Sequence, residues 1–193
     1  MGKEVSSMNK SNFNNQAKIA LKDIAVTGLM VATIEVAKIA LSFLPNIELT
    51  SFLLILYTLT FGRKTIYTVP VFILIEGAVY GFNLWWIMYL YAWPLLVLLT
   101  HTFKKNTSVW FWSVFSGIFG LMFGALCSIP YFFIGWSGGT IMSGIIHATT
   151  WWVAGIPFDI IHCISNFIIM LVLYIPTRRV LQYCYRVIYS SAE

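Results

Sequence analysis

Charge is what this sequence has least of. Asp, Glu, Lys and Arg together make up 10% of its 193 residues, where a soluble domain carries about 25%. Hydrophobic residues fill 59% of it, and the mean hydropathy is +0.81. A soluble fold is excluded on these grounds, because so little charge fits a hydrocarbon solvent rather than water. Cysteine is scarce as well. Cys127, Cys163 and Cys184 are odd in number, widely spaced and set in or beside apolar runs, which excludes a disulfide framework and a CxxC metal pair. They read as small buried hydrophobes. His147 and His162 lack a compact ligand spacing, so neither a metal nor any other cofactor is expected. The first 18 residues are polar, without an apolar core followed by a small-residue cleavage site, and do not read as a secretory signal.

What is present is a series of apolar runs. Breakers divide it into six candidate spans: 20–44, 49–61, 65–81, 84–100, 109–133 and 156–175. A spanning helix needs roughly 20 apolar residues, so the second is too short to cross unaided and has to tilt, thin the bilayer or sit inside the bundle. The fold class expected is an all-α, six-helix membrane bundle. Its membrane domain covers 19–179, between a polar N-terminal tail (1–18) and a C-terminal tail (180–193). The stretch 134–155 is apolar and Gly-rich, too poor in charge for a solvated loop, and is expected to fold back on the outer side as a cap or half-helix.

The 12 Lys and Arg residues set the orientation, since positive charge accumulates in cytoplasmic loops. Lys3, Lys10, Lys18 and Lys22, then Arg63 and Lys64, Lys104 and Lys105, and Arg178, Arg179 and Arg186 all share one side if both termini are cytoplasmic. Only Lys38 stands apart, inside the first span. The net charge of +5 then matches anionic lipid headgroups rather than nucleic acid.

Ionisable groups within spans are expensive and point to function. Glu35 and Lys38 share a helix face and can neutralise each other. Glu76 lies late in the third span, and Asp159, His162 and Asn166 share one face of the sixth. With Glu48 these groups fall in the outer half, where Trp85, Trp86, Tyr89, Trp93, Tyr131, Trp136, Trp151 and Trp152 also gather. An interfacial belt explains some of those rings; the outer surplus points to a pocket for a flat ligand. At i, i+3, i+7, Trp86, Tyr89 and Trp93 are the expected ligand face, with Trp85 turned to lipid or a neighbouring helix. Ala25, Gly28 and Ala32 form one small-residue stripe, Gly120, Gly124 and Ser128 another. Such stripes allow close helix approach, and one of the two is free for a partner.

The sequence carries two resemblances. Gly135-Trp136-Ser137-Gly138 matches the G-x-S-G of rhomboid proteases, with His162 as the potential base. However, Ser137 follows the fifth span rather than beginning a fourth, and no oxyanion set accompanies it. The second is broader. Pro45-Asn46-Ile47-Glu48-Leu49-Thr50-Ser51-Phe52, Leu59-Thr60-Phe61-Gly62-Arg63-Lys64 and Trp152 to His162 with Asn166 resemble the S components of energy-coupling factor (ECF) transporters. These small membrane subunits of bacteria capture vitamins. The resemblance implies substrate capture without catalytic residues. It also implies a membrane-embedded T component contacted through Ala25, Gly28 and Ala32, and two cytoplasmic ATPases, since no Walker motif occurs here. The loop from Pro45 to Glu48 would close over the substrate. The expected binding set is Glu35, Lys38, Asn46, Glu48, Trp86, Tyr89, Trp93, Trp136, His147, Trp152, Asp159, His162 and Asn166. The ligand stays open among riboflavin-, folate-, pyridoxine- and corrinoid-like molecules. A structural membrane subunit, its polar residues only holding the bundle together, is the third reading.

Overall fold

Helices form wherever apolar residues run unbroken, and they stop where the backbone cannot continue. The computed structural model describes residues 2–190, with side chains described from residue 20. The side chains of Lys3, Lys10 and Lys18 lie outside the described residues. Seven α-helices follow in order: α1 (Gly2–Leu41), α2 (Thr50–Phe61), α3 (Thr65–Tyr80), α4 (Leu84–Thr102), α5 (Val109–Cys127), α6 (Ile129–Ser137) and α7 (Ile141–Tyr189), with a 3₁₀ turn over Gly62–Lys64. There is no strand among the described residues.

Four stretches are long and apolar enough to cross a membrane: Ala20–Leu41, Leu84–Thr102, Val109–Ser137 and Ile141–Tyr189. The expected count of six spans goes beyond these four. At 12 and 16 residues, α2 and α3 fall short of the roughly 20 a crossing needs. The short helix α2 is enclosed instead. Every residue from Thr50 to Thr58 is buried, so its apolar surface faces other helices all round. Leu54, Ile55 and Leu56, with Val31 and Ile34 of α1, Phe72 of α3, Leu96 of α4 and Trp112 of α5, make the centre of the core.

Local chemistry sets the boundaries. Gly81 ends α3 at φ 93°, a conformation that costs glycine little. The Ser108 hydroxyl caps α5 by accepting from Phe111 N. A reciprocal pair, Thr140 with Ser143, opens α7. Between α5 and α6 the break follows from Pro130, whose missing N–H and ring prevent a continuous ladder. The carbonyl left without its helical donor is that of Leu126, and it accepts the Tyr91 hydroxyl at 2.8 Å.

The stretch 134–155 is helical on both sides of a turn at 138–140. It comprises the end of α6 and the start of α7, packed as an antiparallel hairpin that continues the α5–α7 pairing. The sequence expected this stretch to fold back as a cap or half-helix; it is instead a helical hairpin, and its second arm does not end: α7 runs on through the last apolar segment and the basic C-terminal region. At about 1.5 Å per residue, its 49 residues reach about 74 Å. At the opposite end from the hairpin, α7 returns to α1 and the 3₁₀ turn. Tyr189 donates to Asp23 (2.6 Å), Lys22 donates to the Ile188 carbonyl (2.7 Å), and Lys64 pairs with Asp23 at 2.5 Å.

Candidate functional site

The loop from Ser42 to Leu49 joins the long α1 to the enclosed α2, so it has to dip into the bundle. Pro45 and Asn46 make the bend, with Asn46 in the left-handed region at φ 57°, which Asn tolerates better than most residues. Two ties hold it to α7. Ser165 donates to the Asn46 carbonyl at 3.2 Å, and the His162 ring nitrogen lies 3.2 Å from the Glu48 carboxylate. Glu48 also accepts from the Ser51 hydroxyl (2.8 Å) and backbone N–H (3.4 Å), at the start of α2, where helix dipoles favour a negative charge. Burial pushes the Glu48 carboxyl up, but the bonds to His162 and Ser51 outweigh it and hold it down at about 2.

Beneath this loop lies a cavity of about 500 Å³, lined by Lys38, Leu41, Ser42, Leu44, Asn46, Ile47, Glu48, Glu76, Tyr80, Trp85, Tyr89, Trp93, Phe123 and His162. That volume is in the range of sites for small organic ligands. Its walls come from α1, the loop, α3, α4, α5 and α7, so the whole bundle positions it. Lys38 pairs with Glu76 across α1 and α3. This corrects the expected Glu35–Lys38 pair within one helix. Glu35 lies beside Glu76, and one buried oxygen of each carboxylate has no partner. Trp93, 1% exposed, also has an unpartnered indole N–H.

No family model, curated protein or solved structure matches this chain.

Lys38, Asn46, Glu48, Tyr89, Trp93 and His162, six of the residues expected from sequence, line this one cavity. Trp86 does not. Its indole donates to the Ile73 carbonyl at 2.7 Å, and its ring meets Phe82 edge-on. The reason lies at Gly77, which has no side chain and leaves the space on α3 that Phe82 and Trp86 occupy. Trp85 lines the cavity instead, touching Tyr89 edge-to-face. The facing set is thus Trp85, Tyr89 and Trp93, at i, i+4, i+8.

Asp159 and Asn166 belong to the α5–α7 contact rather than the cavity. Asp159 accepts from Gly124 N at 3.0 Å, and Asn166 donates to the Ser116 carbonyl at 3.5 Å. A Cβ on Gly124 would run into the Asp159 carboxylate, and one on Gly120 would sit 2.8 Å from the His162 carbonyl oxygen. Trp136, His147 and Trp152 lie on the α6–α7 hairpin and do not reach the cavity. Glu76, Tyr80, Trp85 and Phe123 were absent from the expected set. Glu76 carried a signal, as a carboxylate inside an apolar run; Phe123 carried none.

Ser137 and His162 are not brought together. The Ser137 hydroxyl donates to the Ile134 carbonyl near the hairpin turn, level with Ser143, which faces neighbouring Gly135 and Gly139. His162 is about 28 Å further along α7 at the helical rise. The α5 stripe of small residues is used within the bundle, whereas Ala25, Gly28 and Ala32 of α1 are exposed, with nothing within 4 Å of a Cβ built on Gly28.

Proposed function

We propose that this protein captures a vitamin or vitamin-like small molecule, as the substrate-binding subunit of an ATP-driven ECF-type importer in a bacterial cytoplasmic membrane. The observation that carries the reading is the cavity of about 500 Å³ under the 42–49 loop, which joins Lys38, Asn46, Glu48, Tyr89, Trp93 and His162 from four separate parts of the chain. Stacked rings supply apolar contact, and a few polar groups fix orientation, as in ordinary small-molecule sites. The loop, tied to α7 through Asn46 and Glu48, is the element that opens to admit the solute. Both termini are assigned to the cytoplasm, which places the cavity outside and Arg63, Lys64, Lys104, Lys105, Arg178, Arg179 and Arg186 inside. In this arrangement six helical segments lie at membrane depth, α2 enclosed by its neighbours and α3 turning an apolar face with Ile66, Leu74 and Val79 outward.

The chain itself carries no chemistry in this reading, and transport draws on partners. The exposed face of Ala25, Gly28 and Ala32 lets a T-component helix approach closely, and two cytoplasmic ATPases supply the energy. The test is native mass spectrometry of the protein purified from its own host, followed by uptake in cells with and without the partner subunits. A retained solute whose uptake needs the partners supports the proposal. A chain that retains no small molecule under any condition would favour a purely structural role.

A further inference from the structure

We propose that the groove between α3 and α4, at the opposite end of these helices from the solute cavity, binds a phospholipid with a net negative headgroup. One acyl chain fills the groove, and Arg63 and Lys104 hold the phosphate. The site stands independently of solute capture.

The groove encloses about 500 Å³. Ile66, Val69 and Pro70 form one wall, Pro94, Val97 and Leu98 the other. Neither wall carries a polar side chain, and the two prolines lack even a backbone N–H, so a polar solute finds nothing to orient it. A hydrocarbon chain needs no such group. Ile66 and Leu98 are 56% and 63% exposed, which opens the groove sideways to the surroundings of the bundle, and at membrane depth those are lipid. Its length fits one leaflet. From Gly62 to Pro70 the helical rise gives about 12 Å, against about 15 Å for half of the hydrocarbon core. A partner's crossing helix, at about 30 Å, is more than twice as long as the groove.

Charge at the end of the groove selects the headgroup. Gly62 and His101 line that end, and the Lys104 ammonium lies 3.5 Å from the His101 ring nitrogen. Arg63 follows Gly62 and is exposed. The ion pairs among the described residues engage Lys38, Lys64 and His162, so Arg63 and Lys104, with neighbouring Lys105, have no carboxylate partner among them. Asp23, at the same end of the bundle, is taken by Lys64 and Tyr189. Guanidinium and ammonium groups form charge-assisted bonds to phosphate, and basic clusters between helices at the cytoplasmic surface recruit acidic lipids. A zwitterionic headgroup brings its own cation, which these side chains repel.

The test titrates the full-length protein in detergent with phosphatidylglycerol or phosphatidylcholine of identical acyl chains, read by native mass spectrometry. One phosphatidylglycerol should be retained at a tenfold or more lower lipid concentration than phosphatidylcholine. Arg63→Gln combined with Lys104→Gln, both at exposed positions, should reduce that preference to threefold or less, whereas Arg186→Gln, on the basic end of α7, should leave it intact. Leu98→Trp should block the groove and lose the retained lipid. Ile66→Trp, on the facing wall, is the second variant if the first fails to fold, as melting curves without lipid will show; if neither folds, the Arg63/Lys104 variant decides. Equal retention of the two lipids, a preference that survives the double variant, or retention in a folded tryptophan variant would overturn the site. A second copy of the chain is the competing occupant: a Leu98→Cys disulfide dimer in native membranes, with no lipid retained, would assign the groove to a protein contact instead.

Discussion

At the scale of single residues, Trp85 and Trp86 show how one position along a helix separates cavity wall from core. Trp85 and Tyr89 line the cavity, so Trp85→Ala and Tyr89→Ala should each weaken solute binding by at least about 1 kcal/mol, the loss of a buried aromatic anchor. Trp86→Phe keeps an aromatic ring, smaller than the indole, and drops the bond to the Ile73 carbonyl. It should leave affinity unchanged and lower stability by about 1 kcal/mol. A calorimetric titration and a melting curve on the same preparations separate the two effects, and loss of affinity in Trp86→Phe alone would return the ligand face to the i, i+3, i+7 set. The sequence could not decide between these faces. Both spacings are helical, and the choice depends on Gly77, across the bundle in α3, whose missing side chain makes room for Trp86. Glu48 yields a pH prediction. Its carboxyl is held at about 2 against an ordinary 4.5, so its loop tie contributes fully above the ordinary value and is lost as pH falls through about 2. Thermal stability should decline over that acid window, and Glu48→Gln should flatten the decline.

At the scale of elements, the two small-residue stripes look alike in sequence and differ in what faces them. Gly124 is filled across the interface by the Asp159 carboxylate, so Gly124→Leu should destabilise the isolated protein by about 1–3 kcal/mol or more, the usual cost of overpacking. Gly28 faces open space. Gly28→Leu should leave melting temperature and solute affinity intact while abolishing partner-dependent uptake; loss of affinity in detergent would show that α1 uses this face within its own bundle. Most helix ends were legible from turn chemistry, as at Pro45-Asn46, Gly62 and Gly81. The enclosure of α2 was one of the outcomes the sequence left open, because a 12-residue segment whose polar groups are only hydroxyls has no charged face for water. The length of α7 was not legible. Gly144, Gly155 and Pro157 look like breakers, yet Gly144 is buried against Phe132 of α6, so helix pairing outweighs weak propensity there.

At the scale of the whole molecule, topology is the property most open to direct measurement. With both termini cytoplasmic, a membrane-impermeant thiol reagent should label Ser137→Cys in intact cells and Lys105→Cys only after permeabilisation. The reverse pattern would place the cavity inside and remove the importer reading. Hydropathy and the placement of lysine and arginine carried the membrane class, and the all-helical architecture agrees with it. The count of spans was less legible, since α2 and α3 are shorter than a crossing needs, α2 enclosed by its neighbours and α3 with Ile66, Leu74 and Val79 exposed along one side. The run of α7 from the hairpin turn to Tyr189 has a mechanical consequence. His162, which touches the 42–49 loop, and Tyr189, which touches Asp23, ride on one helix, so a tilt of its second half is felt at both. Over the roughly 40 Å between them at the helical rise, a tilt of about 10° displaces one by about 7 Å relative to the other. A lever of this kind gives way first at Pro176, where a backbone bond is missing from the ladder between the two contacts, and that joint decides whether they move together or apart.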